Sequence, residues 1–90
     1  MSLRFRLADD VLYQALGDEA ILLNINDSHY YGLDDVAARM WQLLVEHGDA
    51  DAVVAQMVTE YEVDEATLRR DLANLLGEME KRGLIRRVEP

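Results

Sequence analysis

The chain is predicted to fold as an α+β domain, with a three-stranded antiparallel sheet first and three helices after it. Strand-like runs bounded by turn residues fill positions 11–33, and helical periodicity starts at Asp35 and recurs in three segments. The sole proline is Pro90, so nothing breaks the periodic segments internally.

Val11-Leu12-Tyr13-Gln14-Ala15-Leu16 reads as the first strand, and Gly17-Asp18-Glu19 as a hairpin turn into a second, Ala20–Asn26. Asn26-Asp27-Ser28 closes that strand, because these side chains bond back to their own backbone. His29-Tyr30-Tyr31-Gly32-Leu33 is a short aromatic third strand, ended by Asp34-Asp35, where a helix cap belongs. Such a meander is stable only when something covers one face.

Three helices supply the cover. The first, about Asp35–His47, sets Val36, Met40, Leu43 and Leu44 on one stripe with Trp41 beside it, and Gly48 suits the position just past its end. The second, about Ala52–Tyr61, is capped by Asp49 or Asp51 and turns Val54, Met57, Val58 and Tyr61 inward. The third starts at the cap Asp64 and runs to Lys81 or Arg82, with Leu68, Leu72, Leu75 and Met79 at three- and four-residue spacing. Leu84–Val88 reads equally as a short strand or a tail. The brief connection Glu62-Val63 resembles a helix-turn-helix corner, and strands beside it give a winged-helix look.

Ninety residues make a single domain, 1–90, which buries about 60–65% of its unfolded surface and leaves little room for a deep substrate cavity. The absence of cysteine excludes disulfides, thiolate chemistry and cysteine-held zinc. No segment reads as a signal peptide or a membrane span, so the expected location is the cytoplasm, and Asn26-Asp27-Ser28 is a turn rather than a glycosylation site. The net charge is −9, and between Leu7 and Leu68 the only Lys or Arg is Arg39. An acidic field of this kind aids solubility, repels nucleic acid and attracts a basic partner.

A strand as short as His29–Leu33, flanked by a helix, is expected at a sheet edge, where unpaired N–H and C=O groups can accept an extended peptide as an extra strand. Alternation puts His29, Tyr31 and Leu33 on one face and Tyr30 and Gly32 on the other. Leu33 then points inward, Tyr31 is half-buried, and Tyr30 is exposed.

The order of elements, with LLN at Leu22–Asn24, YYGL before the first helix, Trp41 within it, EYEVD at Glu60–Asp64 and the pattern Asp71-Leu72, Leu75-Leu76, Met79, Gly83-Leu84-Ile85, resembles the PqqD-like family over about Val11–Ile85. The family comprises small recognition domains of ribosomally made, post-translationally modified peptide pathways. Asp34 departs from the Asn found in many members, but both cap a helix. The resemblance implies non-catalytic binding of a precursor's leader, antiparallel to the third strand and against the third helix, and delivery to a modifying enzyme (a protease, cyclase or radical enzyme). Carried over, the strand is His29, Tyr30, Tyr31, Gly32 and Leu33, and the helix face is Arg69, Ala73, Leu76, Gly77 and Glu80. The YYGL variant and the length look more like lasso-peptide and generic members than the quinone branch.

Ordering a leader costs roughly 1–2 kcal/mol per residue, while each main-chain bond returns about 0.5–1.5 kcal/mol, so side-chain anchors must decide affinity. Ala73 and Gly77 either leave a gap for such an anchor or permit close helix packing. Arg69 is placed to meet a leader carboxylate, to pair within its helix, or to lie solvated.

Two other readings stand beside this one. The helix-turn-helix corner suggests DNA binding, but the third helix balances its basic residues with acidic ones. An edge strand also suits a strand-pairing adaptor or homodimer. No metal or cofactor site is expected, since His29 and His47 lie on separate elements. Ser28 and His29 are neighbours on a strand and point apart, so no nucleophile–base pair is expected either.

Overall fold

A computed structural model describes residues 4–88, which form five strands and three helices. In chain order these are β1 (Arg4–Leu7), β2 (Val11–Leu16), β3 (Glu19–Asn24), β4 (His29–Leu33), α1 (Asp35–His47), α2 (Ala50–Glu60), α3 (Glu65–Lys81) and β5 (Ile85–Val88). The α+β class is as expected, with the meander β2-β3-β4 preceding the helices.

The meander is antiparallel, with Leu22 opposite Tyr13 on one side and Tyr31 on the other. Gly17 begins the two-residue β2–β3 turn at φ 64°, a conformation that glycine enters without steric cost. Val11, Ala20, Leu22 and Leu33 point into the core with Tyr13 and Tyr31 beside them, and the alternate residues face solvent. The sequence reading did not anticipate β1. It pairs antiparallel with β5, Phe5 opposite Arg87, which makes Ile85–Val88 a strand rather than a tail.

Each helix begins at the aspartate its sequence offers. Asp34 accepts from the Ala37 amide at 2.8 Å, Asp49 from Asp51 at 3.0 Å and Asp64 from Thr67 at 3.3 Å. Gly48 closes α1 at φ 65°, its N–H donating to the Leu44 carbonyl. Thr67 bonding depresses the Asp64 carboxyl pKa below the usual range. The α2–α3 corner spans 61–64, a helix-turn-helix connection as anticipated.

Two helical faces differ from expectation. With Asp49 as cap, α2 starts at Ala50 and buries Val53, Val54 and Met57, whereas Val58 falls outside that stripe and is exposed. In α3 the fully buried positions are Leu68, Leu72, Leu76 and Met79, and Leu75 is only half-buried. Leu76 is therefore a core residue packed toward α2, and Leu75 sits at the stripe's opposite margin. Helix α1 buries Trp41 fully, together with Ala38, Met40, Leu43 and Leu44.

Ion pairs fasten the helices at the rim of this core. Arg39 on α1 makes two 2.8 Å bonds to the Glu60 carboxylate on α2. These bonds, with help from Gln56, pull the Glu60 pKa down to about 2. Arg69 on α3 reaches Asp51 on α2 at 2.7 Å and Glu65 at 3.1 Å, holding the Asp51 carboxyl below its usual range.

Candidate functional site

Among the described residues, strand β4 lies at the edge of its sheet, paired only with β3. The preceding turn sets its register. Ser28 adopts φ 59° and donates its N–H to the Asn24 carbonyl at 2.9 Å, while the His29 amide is taken by Asp27 Oδ1 at 3.0 Å. Antiparallel bonding alternates from that point, so Tyr31 and Leu33 direct their backbone groups toward β3. Tyr30 and Gly32 consequently turn their N–H and C=O toward the open edge. Tyr30 is 71% exposed and Leu33 is 3% exposed, with Tyr31 between them, as alternation predicts.

Beside this edge runs a groove of about 500 Å³. Tyr31, Val36, Ala37 and Met40 line its sheet and α1 side. Asp71, Asn74, Leu75 and Glu78 line the α3 side. At the His29 end it meets a smaller hollow of about 200 Å³, bordered by Asn24, His29, Tyr30 and Arg82. Arg82 lies 5.0 Å from the Tyr31 ring centroid and pairs with Glu78 at 3.2 Å. The groove thus combines unpaired backbone, an apolar floor and a polar far wall. That arrangement can hold an extended chain, its backbone on β4 and alternate side chains on Leu75.

The structure puts the expected strand residues beside this groove and the expected α3 residues on the other flank of the helix. Arg69, Ala73 and Leu76 border a shallow dent of about 80 Å³ against Ala50 and Val54 of α2, away from β4. Arg69 is engaged by Asp51 and Glu65 there. Gly77 faces outward, and apart from its own stretch of helix no atom of the described residues lies within 4 Å of the position a Cβ would take. Glu80 approaches Arg87 of β5 at 3.5 Å. The physical reason is the short α2–α3 corner, which forces α2 onto the flank carrying 69, 73 and 76. Strand β4 is left with the flank carrying 71, 75, 78 and 82. Those four recur at helical spacing, so the stripe was visible; only its partner was not.

Residues 19–85 match the family described as Coenzyme PQQ synthesis protein D (PqqD). Of the solved structures, "TbiB1 in Complex with the TbiA(beta) Leader Peptide" is 32% identical, with a TM-score of 0.81 over 94% of this chain and 99% of that one. "Lasso peptide synthetase B1 complexed with the leader peptide" is 26% identical, with a TM-score of 0.85 over 92% and 98% respectively. No curated protein matched the chain.

Proposed function

The chain belongs to the PqqD family, and on that premise we propose that it binds the leader of a ribosomally made precursor peptide. The leader adds as a strand to β4 and lays alternate side chains into the groove between β4 and α3. The observation that carries this reading is the open edge of β4: Tyr30 and Gly32 face outward beside an apolar groove of peptide dimensions. The leader complexes formed by both similar structures support it.

On this reading His29, Tyr30, Tyr31, Gly32 and Leu33 supply the pairing strand, and Asp71, Asn74, Leu75 and Glu78 replace the α3 face expected from sequence. Backbone pairing offsets only part of the ordering cost. An apolar leader side chain over Leu75, Val36 and Met40 therefore supplies the deciding affinity, roughly 1.5–3 kcal/mol for a fully buried aliphatic group. The domain performs no chemistry on the peptide. It presents the precursor to a modifying enzyme in the cytoplasm, where newly made peptide is available.

Titrating the chain into a fluorescently labelled synthetic leader of its cognate precursor tests this directly. Saturable binding competed by unlabelled leader is expected, and an anisotropy that stays flat to high micromolar concentration counts against it.

A further inference from the structure

The outward face of β2-β3-β4 is unusual for a sheet turned to solvent. Register places Leu12, Leu23 and Tyr30 side by side across the three strands, with Ile21 in the next row. Leu12 is 55% exposed and Tyr30 71%, with Ile21 and Leu23 half-buried. Ordinary antiparallel sheets alternate apolar-in with polar-out, and this one is apolar on both sides. At one end stand Asp18 and Glu19, at the other Asp10 and Asp27, while Asp9 is paired with Arg6 at 3.1 Å. No Lys or Arg occurs from Ala8 to Ala38.

We propose that this face is a second docking surface, and that its occupant is a protein patch apolar at the centre and basic at its rim, carried by the enzyme that modifies the leader-bound precursor. The enzyme clause rests on the leader reading; the chemistry of the patch does not.

Charge selects this occupant over a second copy. Stacking two such faces, in either direction, sets carboxylates against carboxylates, and like charges so juxtaposed repel. Continuity ties the surface to the leader. A strand added to β4 directs every second side chain to this same face, alongside Tyr30, and widens the patch from three strands to four. Three strands about 5 Å apart and roughly 17–20 Å long offer far less than the roughly 800 Å² per partner of a stable interface. The empty domain therefore meets its enzyme weakly, and leader occupancy strengthens the contact. By linkage the enzyme tightens leader binding by the same factor.

The test uses the purified modifying enzyme of the same peptide pathway, the labelled leader, and two variants: Leu12→Glu on the apolar row and the double change Asp18→Lys/Glu19→Lys at its rim. Circular dichroism confirms that each is folded. Expected results are leader affinity within about twofold of the parent for Leu12→Glu, and enzyme affinity for the leader-loaded chain reduced at least tenfold by both variants. The leader-loaded parent should also bind the enzyme at least fivefold more tightly than the empty one. Enzyme affinity unchanged in both variants overturns the docking surface while leaving leader binding intact. Loss of enzyme contact matched by concentration-dependent self-association of the parent in sedimentation, absent from the variants, assigns the face to a second copy and also overturns it. If the parent binds no leader at all, the earlier reading fails instead.

Discussion

The Arg82 guanidinium stands 5.0 Å from the centroid of the Tyr31 ring, joining the end of α3 to the middle of β4. Arg82 also pairs with Glu78, one turn earlier on the same helix. The contact ties the groove's two walls together at the His29 end. Toward Asp34 the walls are separated by the cavity that Val36, Met40 and Leu75 line. A peptide side chain has the most room there, and the His29 end offers only the smaller hollow of about 200 Å³.

Leu75 and Ala73 discriminate between the two flanks of α3. Leu75→Ala removes apolar surface from the groove, and a loss of about 1–2 kcal/mol corresponds to roughly five- to thirtyfold weaker leader binding. Ala73→Leu fills the dent against α2 and should leave leader affinity within about twofold. Isothermal titration of both variants checks this, and the opposite pattern would restore the flank read from sequence.

Gly32 tests the backbone. Its N–H points to the open edge and is not used by β3, and proline is tolerated on an edge strand whose N–H faces outward. Gly32→Pro should weaken leader binding at least tenfold with little change in the urea midpoint. Should the variant unfold, a leader N-methylated at the amides facing β4 asks the same question of the intact protein.

Acid stability should report on the Arg39–Glu60 pair. The folded-state pKa of Glu60 is about 2, below its ordinary 4.5. A depressed carboxyl pKa contributes stability that is fully present above the unfolded value and is lost as pH falls through the folded one. Glu60→Gln should thus lower the melting temperature at pH 7, with the gap from the parent closing between about pH 4.5 and 2. A gap that persists at pH 2 would assign the effect to packing.

Tyr13 carries a cost. Its hydroxyl is buried without a hydrogen-bond partner among the described residues. Leaving such a group unsatisfied costs about 1–3 kcal/mol, so Tyr13→Phe should stabilise the domain. A gain of about 1 kcal/mol raises the melting temperature by roughly 4–8 °C in a domain of this size. A fall on calorimetry would mean that the hydroxyl has a partner.

Much of this was legible in the residues. Turn chemistry at Gly17-Asp18 and Asn26-Asp27-Ser28 located the meander, and Asp34 and Asp64 marked the starts of α1 and α3. Alternation gave the burial order of Tyr30, Tyr31 and Leu33 correctly. What escaped depended on partners distant in sequence. Strand β1 is only four residues long and pairs with β5 at the other end of the chain, so neither strand shows itself locally. On α3 two stripes, 69-73-76 and 71-75-78-82, flank the same buried face. Periodicity ranks them equally, and only the placement of α2 decides which one meets β4. Leu75, expected in the core, packs half-buried against it, and Leu76, expected beside the groove, is buried on the α2 side.

Amide hydrogen exchange at Tyr30 and Gly32, with and without saturating leader, tests strand addition most directly. These two N–H groups face the open edge, so they should exchange rapidly in the free domain and at least tenfold more slowly in the complex. If both remain fast while the leader is demonstrably bound, the peptide does not pair with β4.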